Sequence, residues 1–236
     1  MEIKEIIARR TDLSTFLVHL ARDLDGISAR DRLRQILAEW RLTARTPYGS
    51  AVQRLTELGQ NTASQRSVCF TETPLEHVYW LLQAVQGRQI EFRPYGVALP
   101  KKQGRALGIN PVWYLDMTPG HDWLTAPLNQ LIEEAVTSGH FATSPVARLT
   151  PFIEQMGTWQ DVRKEFWWER EWRCRGDLGL PSKLIVLCPE AEFADFEQLV
   201  NEHHVGRSPI FVDPRWGLEQ IIGRLAGYAS AELEML

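Results

Sequence analysis

Cysteine is scarce in this chain, lysine is scarce beside arginine, and long apolar runs are missing. The three cysteines, Cys69, Cys174 and Cys188, are odd in number, widely spaced and never part of a CxxC pair. That pattern excludes a disulfide framework and a zinc ribbon, and it makes a reducing, cytoplasmic setting the default. No apolar stretch approaches the ~20 residues that span a bilayer, so no membrane partner is expected. The opening MEIKEIIARR has no apolar h-region of the secretory kind. Pro and Gly, 13 and 16 of 236 residues, are too few for collagen or low complexity. The phosphate loops GxxxxGKS/T and GxGxxG are absent, as are HExxH, a calcium loop and the GxSxG elbow. No metal is expected, and what is left open is a carboxylate-based reaction or none.

What is present is ordinary globular composition, 44% hydrophobic and 24% charged, with a net charge of −4. The balance excludes a uniformly basic nucleic-acid binder. Arginine outnumbers lysine by 21 to 5. Its planar fork suits phosphate and carboxylate, although a GC-rich genome is the simpler source of the bias. The length fits one domain over residues 1–236, with a C-terminal strand–helix extension from about residue 183 as a variant.

Short strands are predicted at Thr15–His19, Ser67–Thr71, Tyr95–Leu99, Val112–Leu115, Trp168–Arg175, Leu184–Leu187 and Ile210–Val212. Trp168–Arg175 and Leu184–Leu187 read as a hairpin across a Gly/Pro turn. A helix capped by Ser28 carries Leu33, Ile36, Leu37 and Trp40 at helical spacing. Further helices are predicted over about Ser50–Leu58, Trp123–Thr137, Pro145–Met156 and Glu190–His203, and one opened by Asp213-Pro214. Thr73-Pro-Leu-Glu76 reads as a capping box with Pro at the first helical position. The helix behind it (Val78, Tyr79, Leu82, Val85) reads as buried. A basic turn is predicted over Lys101–Gly108. The mixture points to an α+β fold, a single domain with a central, mostly antiparallel mixed sheet of short strands surrounded by helices.

The most unusual segment is Glu165-Phe-Trp-Trp-Glu-Arg-Glu-Trp-Arg-Cys-Arg175. Read as a strand, it puts Glu169, Glu171, Arg173 and Arg175 on one face and Trp168, Trp172 and Cys174 on the other. The tryptophan face must pack into a core. The two carboxylates would stand ~7 Å apart along the strand. Such a pair can serve chemistry or form a solvated Glu/Arg ladder, and periodicity alone favours the ladder. A Mg²⁺ nuclease built on Glu169 and Glu171 is disfavoured by the flanking Arg170, Arg173 and Arg175.

Several phrases carry a resemblance. Phe16-Leu-Val-His-Leu20, Val68-Cys-Phe-Thr-Glu-Thr-Pro-Leu75, Tyr95-Gly96, Pro111-Val-Trp-Tyr114, Trp168-Glu-Arg-Glu-Trp-Arg173 and Asp213-Pro-Arg-Trp-Gly217 look like the AbiGi family of abortive phage-resistance proteins. More distantly, the order of an early strand with His, a middle aromatic strand and a late strand with Glu resembles ADP-ribosyltransferase-like folds of the DarT kind. The resemblance implies NAD as substrate, a partner protein in a two-gene defence operon, and a nucleic-acid or protein acceptor. It assigns catalysis to Glu171, with Glu169 holding the acceptor. It assigns NAD contacts to His19, Arg22, Phe70, Thr71 and Tyr95. The alternative is a non-catalytic antitoxin or regulatory subunit of the same system.

Overall fold

The computed structural model describes residues 10–83, 91–160, 162–165 and 167–228. Besides the two-residue strands Arg41–Leu42 and Leu178–Gly179, its strands, in chain order, are β1 (Phe16–Leu20), β2 (Ser67–Thr71), β3 (Gly96–Pro100), β4 (Asn110–Pro111), β5 (Trp113–Asp116), β6 (Ile153–Trp159), β7 (Val162–Lys164), β8 (Glu171–Arg175), β9 (Ile185–Leu187) and β10 (Ile210–Val212). The helices are α1 (Ala29–Glu39), α2 (Val52–Glu57), α3 (Val78–Leu81), α4 (Lys101–Ala106), α5 (Thr125–Thr137), α6 (Val146–Leu149), α7 (Phe193–His203) and α8 (Leu218–Leu225). The fold is α+β with mixed, mostly antiparallel strand pairing. It divides into two compact units.

The first unit is assembled from residues 1–41, 72–104 and 179–236. Strand β3 pairs antiparallel with β1 and β9, and β10 runs parallel to β9 after the crossover through α7. One close approach needs a glycine. A Cβ on Gly96 would lie 2.1 Å from the His19 carbonyl oxygen, inside van der Waals contact. The core gathers Val18, Leu20, Val78, Ala98, Leu187, Val212 and Ile221, so the segment after residue 183 belongs to this core. Helix α1 starts as predicted, with the Ser28 side chain accepting from the Asp31 N–H. It buries Leu33 and Leu37, and Trp40 closes it in the left-handed region. The Trp40 indole N–H donates to the Pro181 carbonyl at 3.1 Å.

The second unit comprises residues 42–71 and 105–178. Strand β8 lies between β2 and β4, antiparallel to both. A second small sheet joins β5 and β6 in parallel and β6 and β7 in antiparallel fashion. Ala51, Leu55, Ile132, Val136, Phe141 and Ala147 form its helical core.

Several expectations are corrected. The late strand starts at Glu171, because Trp167–Glu169 winds into a 3-10 turn and Arg170 takes a left-handed φ of 47°. Glu169 therefore shares no strand face with Glu171, and Trp168 is 39% exposed instead of packed in a core. Strand β8 and β9 form no hairpin; they pair with different partners. Pro145–Met156 is a short helix, a 3-10 turn and then a strand, since Pro151 and β-branched Ile153 favour leaving the helix. Thr73 makes no capping box: Pro74 is extended at ψ 143° and a 3-10 turn follows. In α3, Val78 and Leu81 are buried while Trp80 is 66% exposed; Val85 lies outside the described residues. Lys101–Ala106 is helical. Asp213-Pro214 precedes a turn, and α8 opens only at Leu218.

Candidate functional site

The chemistry of the second unit centres on β8. Register places Thr71 opposite Glu171, Phe70 opposite Trp172, and Cys69 and Asn110 opposite Arg173 on its two sides. Glu171 opens the strand with its side chain 16% exposed. Alternation puts Arg173 on the same face, two residues on. Its Nε donates to Glu171 Oε1 at 2.9 Å and a terminal nitrogen donates to Oε2 at 2.7 Å. The Glu171 backbone is held as well. Its N–H donates to the Tyr114 hydroxyl at 3.2 Å and its carbonyl accepts from Val112 at 2.9 Å.

Arg173 is 2% exposed. It also donates to Glu154 Oε1 at 2.9 Å and to the Pro151 carbonyl at 2.7 Å, and the Tyr48 ring lies 4.8 Å from its guanidinium carbon. Burial works against its charge, but Glu171 and Glu154 together outweigh burial and hold the guanidinium's pKa above its ordinary value. Burial likewise opposes the Glu154 charge, yet Arg173 and then Lys164 keep that carboxyl below its usual range. Burial, then the charge of Glu171, pushes the Cys69 thiol well up, which favours its neutral form. Burial also pushes the Tyr114 hydroxyl up.

Of the residues predicted here, Thr71 donates its hydroxyl to the Glu169 carbonyl at 2.6 Å, which pins the 3-10 turn to β2. Phe70 is 2% exposed, so its ring is part of the core and offers no open face. Arg175 is exposed and donates to the Ser64 carbonyl at 3.1 Å.

His19, Arg22 and Tyr95 belong to the first unit, and one end of its sheet collects them. His19 is paired with Val97. Arg22 follows the end of β1, and Tyr95 precedes β3, with its carbonyl accepting from the Ala21 N–H at 2.7 Å. The Tyr95 hydroxyl donates to Glu192 at 2.8 Å. Burial, then this bond, pushes its pKa up to about 12. Glu192 also accepts from Arg30 at 2.6 Å. At the ends of β9 and β10, buried Asp213 accepts from the Glu190 and Arg215 N–H groups and from the Arg215 side chain. Burial opposes its charge, but Arg215 and the backbone donors hold its pKa below the ordinary value.

Sequence reasoning missed Glu154, Tyr48 and Tyr114 in the second unit, and Arg30, Glu192 and Asp213 in the first. Glu154 was hidden inside a segment read as helix. Tyr48 stands in a loop with no pattern to mark it. Among the described residues, no group of three or more His, Cys, Asp or Glu side chains could hold a metal ion, and no helix is long and apolar enough to cross a membrane. Comparison of the chain with protein-family models, with curated proteins and with solved structures finds no match.

Proposed function

We propose that this chain is an abortive-infection protein of phage defence that cleaves the nicotinamide–ribose bond of NAD and transfers ADP-ribose. Glu171 is the carboxylate that meets the ribose. The observation that carries the reading is a single one: Glu171 stands at the first position of the late strand, partly exposed, with both oxygens held by Arg173. Cleavage of an N-glycosidic bond develops positive charge on the sugar, as in glycoside hydrolysis. A carboxylate already fixed where that charge appears needs no reorganisation in the transition state. Nicotinamide leaves with the bonding electron pair. A nucleophile on nucleic acid or protein then bonds to the ribose carbon and gives up its proton to solvent. Glu169, on the turn just before Glu171, is assigned to holding that acceptor.

The test is NAD binding and nicotinamide release by the wild type beside Glu171→Gln, with nucleic acid and cell lysate offered as acceptors. Release that disappears in a folded Glu171→Gln supports the reading. A second reading, a regulatory subunit that binds a partner protein, is favoured by the exposed Trp113, Trp123 and Trp167 of the second unit at 59%, 75% and 56%. Neither NAD binding nor release, with both proteins folded, selects that reading.

A further inference from the structure

We infer that Arg173 is the positioning residue for Glu171, and that Glu154 and Tyr48 hold Arg173 to that task. The inference rests on the transferase reading of Glu171.

The geometry is a closed set of bonds. Each guanidinium nitrogen of Arg173 has an acceptor: Nε has Glu171, one terminal nitrogen has both Glu171 and Glu154, and the other has the Pro151 carbonyl. Tyr48 covers its face. A planar group tied at every edge cannot rotate, so the plane of the Glu171 carboxylate is set by it. The charges are shared in a matching way. One cation faces two carboxylates, and Lys164 supplies a second cation to Glu154 at 3.2 Å. The Gly49 N–H adds a further bond to Glu154 at 3.3 Å. Glu154 is thus served by two cations and Glu171 keeps the paired edge of Arg173.

Stability alone does not call for this arrangement. A buried ion cluster is often no more stabilising than apolar side chains of the same volume. Its distinctive product is orientation. Lysine at this position would keep a charge but lose the two-pronged grip. Arg173→Lys therefore separates orientation from charge.

The experiment uses the full chain with NAD as the probe. Nicotinamide release is measured as kcat and KM for the wild type, Arg173→Lys, Glu154→Gln and Glu171→Gln. Each is assayed at a temperature where circular dichroism shows it folded, and rates are referred to folded protein. In Arg173→Lys, kcat is expected to fall about 100-fold, the scale of a misplaced reacting group, with KM within about twofold. Glu154→Gln should lower kcat in the same direction by less, and it serves as the readout if Arg173→Lys fails to fold. Wild-type kcat per folded molecule in Arg173→Lys or, where that variant does not fold, in Glu154→Gln would overturn the inference and leave a purely structural ion cluster. Absence of turnover in the wild type, or turnover that survives Glu171→Gln, overturns the transferase reading and the inference with it.

Discussion

The ion pairs beside the two sets of candidate residues, one set in each unit, differ in their exposure to water. In the first, two ion pairs at the end of the sheet leave the cation open to water: Arg30 with Glu192 and Arg93 with Asp23 have arginines 37% and 48% exposed. In the second, Arg173 is 2% exposed between carboxylates 16% and 18% exposed. Water screens the first kind, and such pairs contribute little each. It does not screen the second kind, where attraction is stronger and so is the penalty of removing one partner. A rim of exposed pairs tolerates change; a central buried pair does not.

The largest expected effect breaks that contrast directly. Arg173→Met strands Glu171 and Glu154 and should cost about 3–5 kcal/mol, whereas Arg93→Met should cost about 0–1 kcal/mol. Urea unfolding of both variants measures this, and equal losses would erase the distinction between the two kinds of pair. A similar size is expected inside the WEREWR segment. Trp172→Ala, at a 9% exposed site, should cost about 3–5 kcal/mol, while exposed Trp168→Ala should stay within about 0.5 kcal/mol. Near-equal melting points for these two would place both tryptophans in one environment. A smaller loss, about 1–3 kcal/mol, is expected for Asp213→Asn, which gives up charge-assisted bonds from Arg215 and Glu190.

Acid sharpens the comparison without changing a residue's shape. The Glu154 pKa is depressed in the folded chain below its ordinary 4.5, because Arg173 and Lys164 outweigh burial. Its contribution is complete above that value and is lost as pH falls through the depressed one. Melting curves from pH 6 downward should therefore fall more steeply for the wild type than for Glu154→Gln. Parallel curves would mean that Glu154 adds nothing pH-dependent to the fold.

Much of the first unit was legible in the residues. Ser28 and the spacing of Leu33 and Leu37 marked α1, because capping and helical burial are local effects. Ile210–Val212 was read with its observed limits, and so was Ser67–Thr71 of the second unit, as short β-branched and aromatic runs allow. The strand at Ile153–Trp159 was not, because its start looks apolar at helical spacing and its pairing with β5 is decided far away in sequence. For the same reason Glu154 stayed unseen. The WWEREWRCR segment was recognised as unusual, yet its division at Arg170 into a turn and a strand depends on a left-handed backbone that no periodicity announces.

By itself, then, the sequence determined the α+β class, the absence of a metal or phosphate-loop motif, and the unusual run of glutamates and arginines around Glu171. Those follow from residue type and local spacing. The tertiary structure decided what faces that carboxylate. Arg173 lies two residues away on the same strand, but Glu154, Pro151 and Tyr48 reach it from 19, 22 and 125 positions away in the chain. Only chain folding brings such groups within hydrogen-bond or van der Waals reach, and desolvation then turns an ordinary Glu/Arg ladder into a fixed, buried charge cluster.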